Sequence, residues 1–452
     1  MPAATMEPPA FAARKAPARR MSFTPDDLEF VFLSFEGPDQ PYAQAGGLGV
    51  RVTHLTQALA RNGFQTHLVF VGDPTLPGRE TREDGCLHLH RWCQWISASH
   101  PEGAYADEVA KVHDYQDSVP AFVTQAIVEP ALAAGRRVAV IAEEWHTADA
   151  LSRLSDSLHF LGIRDAAVLL WNANNDMSFD RINWNRLGYV AQFTAVSRFV
   201  KAQMWSHGVN PLVIPNGIPS ELLEPVDADA VDAVRQAVGS GPWFFKLGRM
   251  DPDKGWLAAV EAVHRLHEGG VPARLVMKAG QLEAHAHEVY GHMAWRGLQA
   301  VGVHTDDRSI AGIAQALADA DPDAAVLNVE FFLPDDALPA LYAAADGVLA
   351  NSGYEPFGLV GLEAMAAGGV AYVGSTGEDY AIPMRNSVAL DDVGSPDEIV
   401  QVARLLRDDP ELAERIRTGA RETAQLHTWD ALLPLLLSKL QLAGQRQGLR
   451  GL

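Results

Sequence analysis

The strongest constraint on the fold is an alternation that runs through most of the chain in two sets. Short apolar runs of strand character are followed by stretches with helical spacing. The first set has strand-like runs at Glu29–Phe35, Thr66–Val71, Val138–Ala142, Ala166–Trp171, Phe193–Val196 and Leu212–Ile214, with Val52, Leu55 and Leu59 at helical spacing inside Val50–Asn62. The second has Phe244–Gly248, Ala273–Lys278, Ala324–Val329, Gly347–Ala350 and Val370–Val373, with a helical stretch at Trp256–Leu266. Neighbouring parallel strands need a crossover connection, usually a helix, so the pattern predicts an α/β chain with parallel sheets. The 452 residues, 48% of them hydrophobic, are too many for one core and enough for two. Two Rossmann-like, doubly wound parallel-sheet domains are therefore expected, facing a central cleft at the carboxyl ends of their strands.

Composition sets the expected boundaries. Residues 1–20 are rich in Ala and Pro, carry Arg14, Lys15, Arg19 and Arg20, and lack the apolar core of a secretory signal. They read as a disordered tail, with Met21 an alternative start. Residues 21–216 form the first domain and 242–427 the second. Between them 217–241, rich in Pro, Asp and Gly, reads as a linker with a short helix. Residues 428–452 form a last helical segment. Pro74–Ser118 shows no clear periodicity and reads as an irregular insertion.

The segment Glu355-Pro-Phe-Gly-Leu-Val-Gly-Leu-Glu363 follows a strand and opens a helix. Pro356 stiffens the backbone beside Glu355, and Gly358 lets the main chain approach a ligand. The free N–H groups at Gly358, Leu359 and Val360, with the positive end of the helix dipole, favour a phosphate. Glu355 then lies in the loop and Glu363 within the helix, where one carboxylate could face a sugar and the other a ribose. A second segment, Lys246-Leu-Gly-Arg249-Met-Asp-Pro-Asp-Lys254-Gly255, also joins a strand to a helix. Arg249 can bond a phosphate through two N–H groups, and Lys254 adds a mobile point charge. The alternative is a surface turn in which these cations pair with Asp251 or Asp253. A third segment, Gly46-Gly47-Leu48-Gly49, offers the Gly47 amide at a helix start.

Together these segments resemble retaining glycosyltransferases of the GT-B fold, of the family 4 type. Glu355 and Glu363 match their E-x7-E pattern, Arg249 to Gly255 match G-R-x-x-x-x-K-G, and Leu338 to Asp346 match L-x-x-L-Y-x-x-A-D. The glycine loop is similar to the K-x-G-G-L loop of glycogen and starch synthases, with Gln44 in place of the lysine. Glu143-Glu144-Trp145-His146-Thr147 resembles H-D-W-H/Q-T, which in the family lines the acceptor side, so Glu144 and His146 are acceptor-side candidates. Trp171 to Asp176 occupies the place where many members carry a histidine toward the donor sugar. Asn174 or Asn172 stands there, able to bond hydroxyls but not to carry a proton. Ser197 is a candidate N-cap, and Gly374-Ser-Thr-Gly377-Glu378 replaces the commoner G-G-x-x-E turn. The resemblance also implies that the last helix returns to the first domain.

The implied activity is transfer of a hexose from a UDP-, GDP- or ADP-sugar to the hydroxyl of a carbohydrate or small-molecule acceptor. Glu355, Arg249 and Lys254 are the implied catalytic residues. Gly47, Gly358, Leu359, Val360, Glu363 and Asn174 are the implied donor-binding residues. No metal or cofactor is expected, since cations and dipoles already serve the diphosphate and no D-x-D segment stands in a metal-binding context. The formal charge of −21 argues against nucleic-acid binding. Two cysteines, Cys86 and Cys93, give no disulfide framework and suit a reducing cytoplasm. No apolar stretch reaches the length of a membrane span. The rival readings are a catalytically silent nucleotide-sugar binding protein, a GT-B sugar-nucleotide epimerase and a sugar phosphorylase.

Overall fold

The computed structural model describes residues 23–43, 46–239, 241–280 and 284–449. The expected tail, both candidate start residues and Gln44 lie outside them. The first sheet contains β1 (Leu28–Leu33), β2 (Thr66–Val71), β3 (Arg79–Arg82), β4 (Leu87–Trp92), β5 (Arg137–Glu143), β6 (Ala167–Ala173), β7 (Gln192–Ala195) and β8 (Leu212–Val213). The second contains β9 (Trp243–Gly248), β10 (Arg274–Ala279), β11 (Ala300–Val303), β12 (Val326–Val329), β13 (Gly347–Ala350), β14 (Ala371–Val373) and β15 (Val388–Ala389). Their strand orders are β3-β4-β2-β1-β5-β6-β7-β8 and β11-β12-β10-β9-β13-β14-β15. Every pairing is parallel except β3 with β4. Helices cover both faces of such sheets, so central strands are apolar along their whole length. In β1, Phe30, Val31, Phe32 and Leu33 are all fully buried.

Residues 74–118 do not form an irregular insertion. They supply β3 and β4, which extend the first sheet, and the start of the helix Glu108–Val123. The signal was hidden because β4 reads Leu-His-Leu-His-Arg-Trp, with histidines where apolar residues ordinarily mark a parallel strand. Strands β11 and β15 were also missed, being short and respectively glycine-bearing and two residues long. Between the sheets, the helix Ala228–Val238 packs on the helices Ile310–Ala318 and Leu338–Ala344, with Val234 and Val238 buried.

The chain crosses between the two halves twice, and the crossings are tied together. Ile218 N donates to His427 O at 2.9 Å, and Trp429 N donates to Ile218 O at 3.0 Å. The last helix, Trp429–Arg446, packs on β6 and on the helix Gly47–Arg61, and buries Leu432, Leu433, Leu436 and Leu440. Among the described residues no helix is long and apolar enough to cross a membrane.

The pairing of β2 with β4 stacks His67 against His88 and brings His67 Nδ1 within 3.1 Å of His90 Nε2. Burial, then the charges of His67, Arg79 and His88, push the His90 imidazole from 6.5 down to about 3. His90 is thus neutral when folded, whereas the unfolded chain protonates it near 6.5. Its contribution to stability is present above that value and falls as the pH drops, by about 2 kcal/mol at pH 5. Urea unfolding at pH 7 and pH 5 should show this extra loss in the wild type and not in His90→Gln.

Candidate active site

In both sheets the strand order reverses at one place. β1 has β2 on one side and β5 on the other, and β9 lies between β10 and β13. Connections leave in opposite directions at such a switch point, which opens a crevice at the carboxyl ends of the two strands. Four of the segments singled out from the sequence follow these strands, together with Glu36 and Tyr354, which the sequence did not single out. Glu36 and Gly46 to Gly49 come after β1, Glu144 to Thr147 after β5, Arg249 to Lys254 after β9, and Tyr354 to Gly358 after β13.

On the second domain the structure joins two candidates directly. Lys254 Nζ lies 3.1 Å from Glu355 Oε2, with Asp253 at 3.5 Å. Arg249 is turned outward, 71% exposed, and pairs with Asp251 at 2.8 Å, so the two cations do not converge on one point. Gly255 adopts φ 65°, and a Cβ there would lie 2.3 Å from Asn351 O, which requires glycine. Asn351 Nδ2 donates to Gly255 O at 3.1 Å, and Lys246 Nζ donates to Asn351 Oδ1 at 2.6 Å and Leu349 O at 3.0 Å. Burial, with the charge of Lys254, lowers the Lys246 ammonium to about 7.

Gly358, at φ 85°, begins the helix Leu359–Ala366. A Cβ on it would meet Glu378 Cγ at 2.8 Å and Tyr380 Oη at 2.9 Å. The first amides of this helix have no intrahelical acceptor and face the loop. Glu363, one turn in, accepts from the Tyr342 hydroxyl at 3.3 Å. Burial, with Asp335 nearby, lifts its carboxyl to about 7. Glu378, buried under the same turn, accepts from Thr376 N at 3.0 Å and is also raised to about 7, chiefly by burial.

The first domain supplies a denser set of carboxylates. Glu36 Oε2 accepts from Gly49 N at 2.8 Å, and Glu36 Oε1 accepts from the Tyr105 hydroxyl. One amide of the glycine loop is therefore already satisfied internally, while Gly46 and Gly47 are exposed. Glu143 is fully buried and accepts from Arg51 Nε at 3.2 Å and from the side-chain amides of Asn172 and Asn174, each at 2.7 Å. The Asn174 NH2 group is thus committed to Glu143. Glu144 accepts from Asn174 N at 2.5 Å and Asn175 N at 3.2 Å, and burial lifts its carboxyl to about 8. His146 is placed differently from its sequence assignment. It is 6% exposed, stacks on Phe35 and Trp145 at 4.3 and 4.0 Å, and turns Nε2 to Glu108 at 3.0 Å. It packs among aromatic side chains, with Nε2 turned to Glu108 and Nδ1 buried without a hydrogen-bond partner. Ser197 is the N-cap expected of it, accepting from Val200 N at 3.2 Å.

The fold is GT-B. A sucrose-phosphate synthase from Thermosynechococcus elongatus superposes over 92% of this chain and 100% of its own, with a TM-score of 0.66 and 19% identity. The catalytic domain of starch synthase IV from Arabidopsis thaliana, bound to ADP and acarbose, covers 93% of this chain and 99% of its own, with a TM-score of 0.64 and 16% identity. Residues 315–423 match the family model of glycosyl transferases group 1. Mannosylfructose-phosphate synthase from Agrobacterium fabrum is 24% identical over 234 residues, 51% of this chain; the match spans about half of that relative, 47% of its length.

Sequence reasoning missed Glu36, Glu143, Lys246, Tyr354 and Asp176 at this GT-B cleft. Glu36 and Glu143 stand at strand ends, which was a usable signal. The rest act through partners far away in sequence.

Arg51 and Glu143 are 2% and 0% exposed. Arg51→Met leaves a buried carboxylate without its cation and should lower stability by about 3–5 kcal/mol. Urea unfolding measures this, and Glu143→Gln added to Arg51→Met should restore part of the loss.

Proposed function

We propose that the chain is a retaining, metal-independent glycosyltransferase of the family 4 type, which moves a hexose from a nucleotide-diphosphate sugar to an acceptor hydroxyl. The observation that carries this reading is the Lys254–Glu355 pair, 3.1 Å apart, beside the amino end of the helix Leu359–Ala366. A cation and free amides there suit a diphosphate, and a carboxylate next to them suits the sugar it carries. The group 1 match over residues 315–423 covers the Glu355 turn and this helix.

In this reading Lys254 and Arg249 neutralise the departing diphosphate, with the amides of Gly358, Leu359 and Val360 opposite that of Gly47. These groups are aimed at charge that grows in the transition state. Arg249 must leave Asp251 to do so, and its exposure leaves it free to turn. Glu355 orients the sugar hydroxyls and stabilises positive charge at the anomeric carbon, and Glu363 accepts from the ribose. The anomeric C–O bond to the diphosphate breaks, and the acceptor oxygen bonds to the same face. The acceptor proton passes to the leaving phosphate oxygen. The relatives named above include sugar-phosphate synthases and a starch synthase bound to ADP, so UDP-, ADP- and GDP-sugars are the donors to test.

A nucleotide sugar present at about 100 times its Kd should stabilise the protein by about 2.7 kcal/mol, visible as a rise in Tm. With that donor, Glu355→Gln and Arg249→Ala should each lower kcat about 100-fold or more. Proton NMR of the product should show the donor's anomeric configuration. Unchanged turnover in both variants, or an inverted product, contradicts the assignment.

A further inference from the structure

The residues that bracket Glu355 reach across the cleft. The Tyr354 hydroxyl donates to Asp176 Oδ1, and Asp176 N donates back to the Tyr354 oxygen at 3.3 Å. Phe199 packs edge-on against the same ring at 5.5 Å. On the far side of the Glu355 turn, Asp379 Oδ2 accepts from Arg198 N at 2.8 Å. Arg198 is the first residue of the helix Arg198–Trp205, where a carboxylate is favoured by the dipole and by an otherwise unpaired N–H. Asp176, Arg198 and Phe199 belong to the first domain, and Tyr354 and Asp379 to the second.

Glu355 is held rigidly between these two contacts. Its N–H donates to Thr376 Oγ1 at 3.0 Å, and its carbonyl accepts from Gly377 N at 2.8 Å. Tyr354 is its preceding neighbour, and Asp379 lies two residues beyond Gly377. The Glu355 backbone, the 376–378 turn and the two cross-cleft bonds thus form one mechanical unit. The two crossings at Ile218 and Trp429 are pinned to each other, so the halves can rotate about them only if the cleft contacts break.

We propose that Tyr354 and Asp379 form a two-point latch, seated on Asp176 and on the amino end of the helix Arg198–Trp205, that couples closure of the cleft to the placement of Glu355. Tyr354 and Asp379 are positioning residues and touch no substrate. Opening the cleft releases both sides of the Glu355 loop together, so its carboxylate is in register only when the first domain is seated. Burial and the Asp176 carboxylate both raise the Tyr354 phenol, which keeps it a donor throughout the neutral range. The contacts are properties of the fold; their effect on turnover rests on the proposed transferase activity.

Small-angle X-ray scattering of the full, ligand-free chain tests the latch without reference to activity. Tyr354→Phe keeps the ring against Phe199 and removes one oxygen, and Asp379→Ala removes the second bond. Both should enlarge the radius of gyration while the melting transition stays cooperative. Asp176→Ala should do the same, whereas Asp176→Asn keeps an accepting oxygen and should stay compact. Unchanged radii in Tyr354→Phe, Asp379→Ala and Asp176→Ala overturn the latch. In transfer assays, Tyr354→Phe and Asp176→Ala should each lower kcat about tenfold with donor KM nearly constant, and the double variant should be no worse than the worse single. Independent, multiplicative losses overturn the coupling. A wild-type protein that transfers no sugar overturns the transferase reading, and the scattering still decides the latch.

Discussion

The contact on which the site depends is the one between Lys254 and Glu355, which lie on loops after two different strands. A partly exposed ion pair holds little together by itself. Its position is imposed from below, where β13 lies beside β9 in the sheet and Lys246 reaches across to Leu349 and Asn351. Asn351 in turn fixes Gly255, the residue that follows Lys254. A lysine without a buried carboxylate partner is unfavourable in a core, and the drop of Lys246 to about 7 expresses that cost. Two carbonyl-type oxygens and the Trp256 ring at 5.0 Å offset part of it. The result is a hydrogen-bonded floor under the two charged side chains.

The opposite wall follows the same logic with the sign reversed. Glu143 and Glu144 are adjacent and buried, and each is made tolerable in a different way. Glu143 has the Arg51 guanidinium and two asparagine amides, while Glu144 has no cation, accepts from the backbone N–H groups of Asn174 and Asn175, and is raised to about 8 chiefly by burial. Asn172 and Asn174 are bound up in this network and shape the wall. Glu36 completes it by capping the Gly49 amide. The first domain thus contributes hydrogen-bonded carboxylates, and the second contributes two cations that are themselves paired with carboxylates.

Much of this was legible in the sequence because parallel α/β sheets announce themselves locally. The run Phe30 to Leu33 is continuous and apolar, Phe244 to Leu247 is broken only by Lys246, and the loops after them carry the glycines that a switch-point crevice requires. The Glu355 turn was readable for the same reason, since Gly358 and the helix behind it are contiguous. What escaped was whatever depends on register or on the second domain. β4 was missed because His88 and His90 stand where a core strand ordinarily carries apolar residues, and the partner they pack on, His67, is on the neighbouring strand. The stacking of His146 on Phe35, remote in sequence, was likewise not legible. Tyr354 and Asp176 are 178 positions apart, and no local pattern links them.

The central claim is that the Lys254–Glu355 turn is a nucleoside-diphosphate site. Isothermal titration of UDP, ADP and GDP into the wild type and into an Arg249→Ala/Lys254→Met double variant tests it most directly. The account predicts that one of the three binds the wild type and that the double variant loses at least about tenfold in affinity, as expected when charge-assisted phosphate contacts are removed. Equal affinity in both proteins, or no binding of any of the three to the wild type, would contradict it.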